Sequence, residues 1–381
     1  MNRQYQFVGL RKRISTRKHF VRLNHAKLPL IVVFLAISSM ALASTTWYVN
    51  GVYGNNNNNC MSPQSACKTI GHTISRASSG DSIVVAAATY KENLTIGFSL
   101  KITGSAASIT IVDGGAVGTV VTISNTRAHV TLSNVTIRNG HAQFGAGVFN
   151  SGALTIDNST VTNNHGTSDR FSTGGGISNG GSLTITNSTV SGNNVGAGLD
   201  AGGGGIANSG TTTITNSTVS GNGASSLGGA SGGGIYNHGK LAINNSTISG
   251  NAAKSGGGIY NYPGYDVTLQ NSTVANSSTG GNCEGTMTSN GYNVSSDGSC
   301  NFNGADDLNN TDPMLGPLRN NGGPTQTQAL LSGSPAIDAG NPSGCRDGNG
   351  NLLKTDQRGQ PRPDKEDTGG CDIGAYERQS D

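Results

Sequence analysis

Residues 176–193 read GISNGGSLTITNSTVSGN, and the phrase returns as GIANSGTTTITNSTVSGN at 205–222 and GIYNHGKLAINNSTISGN at 234–251. GVFNSGALTIDNSTVTNN (147–164) precedes these copies, and a looser GIYNYPGYDVTLQNSTVANS (258–277) follows them. Three asparagine columns advance in steps of 29 residues: Asn150, Asn179, Asn208 and Asn237; Asn158, Asn187, Asn216 and Asn245; Asn164, Asn193, Asn222 and Asn251. A fixed period of this size marks a stacked-repeat architecture. LTI and TVS are short β-branched stretches, so they read as strands, and GGGI opens a third. Leu183 and Ile185 point to one side of the pleat, Thr184 and Thr186 to the other. Asparagine tolerates left-handed backbone angles and suits the bends between strands. Three strands and three asparagine corners make one turn of a coil, whose successive turns pair as parallel strands about 4.8 Å apart. The fold class is therefore all-β, a parallel β-helix solenoid, with Asn158, Asn187, Asn216 and Asn245 as an internal side-chain ladder. Leucine-rich repeats need a leucine skeleton and propellers need Trp-Asp or aromatic marks, and neither is present.

The chain has 381 residues, 59 of them Gly, and only 12% are charged. Residues 1–43 carry eight of the Lys and Arg and no acid, so removing them turns the formal +3 into −5. The basicity belongs to this leader, which excludes a nucleic-acid surface. A basic region to Lys27, an apolar run from Leu30 to Ala43 and Ala-Leu-Ala before Ser44 read as a secretory signal, residues 1–43. The run falls short of the ~20 residues that span a bilayer, so no transmembrane segment is expected after its removal.

Beyond the leader, 44–80 reads as an N-terminal cap. Ile70, Ile74 and Ala77 share one face of a short amphipathic helix that covers the open end of the first coil. About nine coils fill 81–296, and 297–381 reads as an irregular C-terminal cap. Six cysteines in an exported chain suggest disulfides, and sequence proximity favours Cys60–Cys67, Cys283–Cys300 and Cys345–Cys371 among the 15 pairings.

CKTIGHTISRASSGDSIVVAAATYKENLTI (67–96), followed by the GGGI and NSTVSGN repeats, resembles the entry to the bacterial right-handed parallel β-helix superfamily of pectate-lyase-like fold. That resemblance supplies the handedness. DPMLGPLRNNGGPTQTQALLSGSPAIDAGNP (312–342), TDQRGQPRP (355–363) and CDIGAYE (371–377), with GYNVSSDGSC before them, resemble the choice-of-anchor Q family. Members usually carry His where this chain has Gln328. The resemblance implies a protein at the cell surface or released from it.

Sugar-cleaving β-helices need clustered carboxylates. Between Asn139 and Gly281 the acids are Asp157, Asp169, Asp200 and Asp266, and no strand holds a pair. The catalytic candidates are Asp169, Arg170 and Asp200, on loops inserted before GGGI that stacking would bring together, with His165 beside them. Thr184, Thr186, Thr213 and Thr215 form an outward hydroxyl array, a candidate ligand surface. Asp347, Asn349 and Asn351 imitate the start of a calcium loop, although Leu352 and Arg358 stand where an EF-hand needs Gly and Glu. No other cofactor is expected. The sequence thus reads as a secreted or surface-associated, monomeric, non-catalytic protein for adhesion or for binding polysaccharide or cell-surface glycan. The alternative is a polysaccharide lyase or glycoside hydrolase acting from the inserted loops.

Overall fold

A computed structural model describes residues 44–365 and 370–380; the expected signal, 1–43, lies outside them. Three parallel sheets run the length of the solenoid. Sheet A stacks ten strands from Thr46–Val49 and Ser82–Val85 through Ser182–Thr186, Thr211–Thr215 and Lys240–Asn244 to Thr288–Ser289. Sheet B stacks nine, the TVS strands, from Ala88–Lys91 to Val294–Ser295. Sheet C stacks eight, which include Ile177–Asn179, Ile206–Asn208, Ile235–Asn237 and Ile259–Asn261. Register follows the repeat, with Leu183 on Thr212 and Ile185 on Ile214 in sheet A, and Ile177 on Ile206 in sheet C. Ile177, Ile206, Ile235 and Ile259 are fully buried, as are Ile185 and Ile214. Each such side chain contributes about 2 kcal/mol of burial, so a column of them drives the stacking.

The corners use asparagine in two distinct ways. Asn158, Asn187, Asn216, Asn245 and Asn271 hold φ between 47° and 50°, the left-handed turn between sheets A and B. The side-chain ladder expected in this column is largely absent, since only Asn271 donates to a column neighbour, Asn245 (3.2 Å). In a left-handed corner these side chains point away from the coil: Asn158 donates to Asp157, Asn216 to the Thr355 carbonyl and Asn245 to the Arg346 carbonyl. The ladders lie in the other two columns. Asn150, Asn179, Asn208, Asn237 and Asn261 pass Nδ2–H to the next Oδ1 at 2.7, 2.9, 2.7 and 2.9 Å. Asn164, Asn193, Asn222 and Asn251 do the same at 2.9, 3.0 and 3.0 Å. A serine ladder accompanies the bends, the backbone N–H of Ser159, Ser188 and Ser217 donating to the hydroxyl of Ser188, Ser217 and Ser246.

The segments inserted before GGGI are not loops. They form two further parallel ladders, a four-stranded one through His165–Ser168, Asn194–Ala197 and Gly223–Ser226, and a three-stranded one of Phe171–Thr173, Asp200–Gly202 and Gly229–Ser231. Val195, Ala201, Ala224, Ala230 and Ala253 pack between them. The result is a flange standing beside sheet C.

At the first end, the helix spans Ile70–Arg76, with Thr69 as N-cap and Ile70 and Ile74 buried. Glu92 accepts from the N–H of Ile70 (2.9 Å) and of Gly71 (2.7 Å), where a carboxylate complements the helix dipole. At the far end, Met287, Cys300 and Phe302 close the core. The rest of the tail does not sit across that end. From Asp312 onward it returns along the outside of sheet B as a strap. Ile373 accepts from Thr273, Ala375 donates to Thr247, Gln357 takes Thr218 and Thr189, and Thr325 donates to Asn187. The threonines of NST are thus the strap's docking row. Disulfides join Cys60–Cys67, Cys283–Cys300 and Cys345–Cys371, the pairs that sequence proximity favours.

Candidate functional site

A cleft of about 410 Å³ lies between the flange and sheet C. Its flange wall presents Phe171, Asp200 and Gly229, and its sheet wall presents Tyr236, Tyr260 and Tyr262. Tyr262 follows the strand Ile259–Asn261, while Tyr236 and Tyr260 belong to one outward column in strict register, Phe149, Ser178, Ala207, Tyr236, Tyr260 and Glu284. Ser178 and Ala207 are small beside the flange, and the column turns aromatic again at Tyr236 and Tyr260 as the flange ends. Tyr236 and Tyr260 stack with centroids 5.5 Å apart and planes 9° from parallel. Tyr262, Tyr265 and His238 form an edge-on cluster beside them, with ring centroids at 4.4 to 6.2 Å. Gly202 allows the flange to approach, since a Cβ there would lie 3.1 Å from the Tyr236 ring.

Among the described residues no side chain or backbone group hydrogen-bonds the hydroxyls of Tyr236, Tyr260 or Tyr262, so these face the cleft as free donors and acceptors. Burial, then the neighbouring phenols of Tyr260 and Tyr262 and the carboxylate of Asp200, raise the Tyr236 hydroxyl above its usual pKa. Burial and Glu284 do the same for Tyr260. Both stay protonated donors across the ordinary pH range.

The catalytic candidates separate. Asp200 reaches the cleft and accepts from the N–H of Gly229 (3.1 Å). Asp169 and Arg170 are exposed at the flange tip; backbone pairing places Arg170 beside Asp200, the Asp200 N–H donating to the Arg170 carbonyl at 3.0 Å. Among the described residues Arg170 makes no ion pair with either acid, and its guanidinium lies 5.7 Å from the centre of the Phe171 ring instead. His165 lies beside His141, ring centroids 5.5 Å apart and planes tilted by 32°, on the flange's other ladder. The second carboxylate of the cleft column, Glu284, belongs to a coil three turns beyond that of Asp200. That is about 14 Å along the axis, outside the roughly 5–10 Å over which two carboxylates act on one glycosidic bond.

The other two candidate sets meet each other. Thr184, Thr186, Thr213 and Thr215 form one wall of a groove of about 460 Å³, and the loop bearing Asp347 and Asn349 leans over it with Lys240 and Leu353. Asp347 accepts from the N–H of Asn349 (2.9 Å) and of Asn351 (2.8 Å), and from the Asn351 side-chain amide (3.0 Å). The loop's own donors thus take three of the acceptor positions of this carboxylate. Burial acts to raise the Asp347 carboxyl, yet these hydrogen bonds together hold it below its usual value. Among the described residues one cluster of three metal-type side chains occurs, Cys60, Cys67 and His72, and its sulfurs are joined in a disulfide.

The aromatic column escaped sequence reading although its signal was present. GIYN recurs at 234–237 and 258–261 where earlier repeats have GISN and GIAN, so the residue after the buried isoleucine changes from small to aromatic in consecutive coils.

The stacked sheets, the register and the corner geometry agree with a comparison against protein families. Residues 119–306 match the family described as the right-handed β-helix region. Among solved structures, pectate lyase Pel9A is 14% identical, with 89% of this chain and 98% of that chain covered and a TM-score of 0.47. The pectin methylesterase PemA from Erwinia chrysanthemi is also 14% identical, over 70% of this chain and 82% of that one, with a TM-score of 0.35. No curated protein matches the sequence. The matched β-helix region includes the flange and every tyrosine of the cleft.

Proposed function

We propose that this β-helix protein binds glycan without cleaving it, in the cleft between the flange and sheet C, and that it does so after export to the cell surface or the surrounding medium. One observation carries the reading: three tyrosines with unpartnered hydroxyls line a cleft that holds a single carboxylate on its flange wall. Aromatic rings offer apolar faces to the C–H faces of sugars, while phenol hydroxyls exchange hydrogen bonds with sugar hydroxyls. Cleavage by acid–base pairing needs a second carboxylate within reach, and Glu284 is too far along the axis. Three disulfides suit an oxidising compartment, and among the described residues no helix is long and apolar enough to cross a membrane. Export by the 1–43 signal and the choice-of-anchor Q-like tail belong to the same proposal.

A glycan array followed by titration of the best ligand tests it. Binding that Tyr260→Ala weakens at least about tenfold, without new reducing or unsaturated ends in the polymer, is the expected result. Release of such ends, lost in Asp200→Asn, would replace this reading with a lyase or hydrolase acting from the flange.

A further inference from the structure

We infer that the cleft selects glycans carrying free amino groups, that is, unacetylated hexosamine units, over neutral or acidic sugars; this rests on the glycan-binding reading above. The cleft's own lining carries one charged group, the carboxylate of Asp200, and the outward column of its sheet wall runs on to a second, Glu284, just past the cleft. Asp200 stands on the flange wall, and one of its oxygens accepts a backbone N–H while it makes no ion pair among the described residues. Glu284 is exposed and continues the tyrosine column by one coil beyond Tyr260. Between them stand Tyr236, Tyr260 and Tyr262.

Aromatic rings beside a carboxylate suit an ammonium group, since the ring quadrupole attracts the cation and the carboxylate pairs with it. The rim already shows this preference within the chain, because the Arg170 guanidinium rests over Phe171. The cations nearest the cleft are placed to leave the carboxylates available. Arg170 stays at the rim, and the Lys254 ammonium donates to the Gly228 carbonyl (3.3 Å). His238 is held among Tyr262 and Tyr265. A polyuronate would bring its own carboxylates against Asp200 and Glu284 and be repelled. Successive rungs place Asp200, the tyrosines and Glu284 along the solenoid axis, so an extended oligosaccharide lying along that axis meets the Asp200 carboxylate inside the cleft and that of Glu284 one coil past Tyr260.

The test compares three oligosaccharides of equal length by calorimetry under conditions where free amines are protonated: a glucosamine oligomer, its fully N-acetylated counterpart and an oligogalacturonate. The glucosamine oligomer should bind about tenfold more tightly than the acetylated one, and added salt should erode that margin. Asp200→Asn keeps an oxygen for the Gly229 N–H and should reduce the ratio toward one, with Glu284→Gln reducing it further. Equal affinity for the amino and acetylated forms, or tighter binding of the oligogalacturonate, would overturn this inference and leave glycan binding standing. If none of the three binds and the glycan array is also blank, both fall.

Discussion

Arg362 ties the strap to the solenoid: its Nε lies 2.7 Å from Glu377 Oε2 within the tail, and its Nη1 donates to Oδ1 of Asn216 at 2.9 Å on the corner below. Neither the Arg362 nor the Glu377 side chain has any exposed surface. A third bond runs from Nη2 to the Gly374 carbonyl (2.9 Å). One guanidinium thus joins the tail's own carboxylate to a corner asparagine that its left-handed φ turns outward. Arg362→Met leaves Asn216 Oδ1 without its donor and Glu377 Oε2 with the Asp372 N–H alone, and should cost about 3 kcal/mol. Limited proteolysis should then cut the tail first while the solenoid resists.

The same pair sets a pH dependence. Burial, the largest influence, pushes the Glu377 carboxyl from 4.5 up to about 8, against the attraction of Arg362 and with Asp372 adding to the rise. The folded protein therefore holds this proton where the unfolded chain has released it. The stabilisation is complete below about pH 4.5, declines above it, and is gone once the pH passes about 8. Urea midpoints measured across that window should fall with rising pH, and Glu377→Gln should flatten the slope. Parallel slopes for the two proteins would mean that another group is responsible.

How far the sequence disclosed this architecture depends on whether a property repeats. Isoleucines at a fixed step read directly as a core column, because burial depends on residue type alone, and the TVS and LTI strands followed with them. The asparagine columns were visible too, but the direction of each side chain was not. Asn208 and Asn216 belong to the same repeat, yet the first is drawn inward to a ladder while the left-handed φ of the second turns its side chain out. The flange looked like loops because Gly, Ser and Ala carry little strand propensity; its pairing comes from the coils beneath, which hold the inserts in register. The strap was hidden for another reason. Gln357 meets Thr189 across 168 positions, a contact no local pattern encodes.

The contrast between those two asparagines can be measured. Asn208 is fully buried, receives Asn179 and the Thr212 hydroxyl, and donates to Asn237 and the Lys240 carbonyl. Asn208→Ala removes a partner from several buried groups and should cost about 2–3 kcal/mol of solenoid stability. Asn216→Ala should instead lower strap protection, with backbone hydrogen exchange rising around Thr355 and Arg362 and little change in sheet C.

Two glycines separate clash from backbone strain. A Cβ on Gly204 would lie 2.2 Å from the Gly223 carbonyl oxygen, backbone against backbone, where the flange leaves the coil. Gly204→Ala should cost at least about 3 kcal/mol and abolish glycan binding by displacing the flange wall. Gly221 has open space around it but a φ of 65°, so Gly221→Ala should cost only about 1 kcal/mol. Thermal midpoints of the two variants should therefore differ clearly, with the cleft intact in the second.

The first strand of sheet A carries its own optical reporter. Asp81 accepts from the Thr45 N–H (2.7 Å), the Ser78 N–H (2.8 Å) and the indole N–H of Trp47 (2.9 Å), the chain's one tryptophan. Burial is the largest single influence on this carboxyl and acts to raise it, but the donors from Ser78, Trp47 and Thr45 outweigh it together and hold it below its usual 3.8. A depressed carboxyl stabilises the fold above its unfolded value, and that contribution disappears as the pH falls through the folded value. Acidification should release Thr46–Val49 from Ser82–Val85, shifting Trp47 emission to longer wavelength before the bulk of the strand signal is lost. In Asp81→Asn the shift should be present already at neutral pH, because the amide presents one acceptor where three donors converge. A Trp47 emission that moves only with global unfolding, in both proteins, would show that the strand is held by sheet pairing and Val49 burial without help from Asp81.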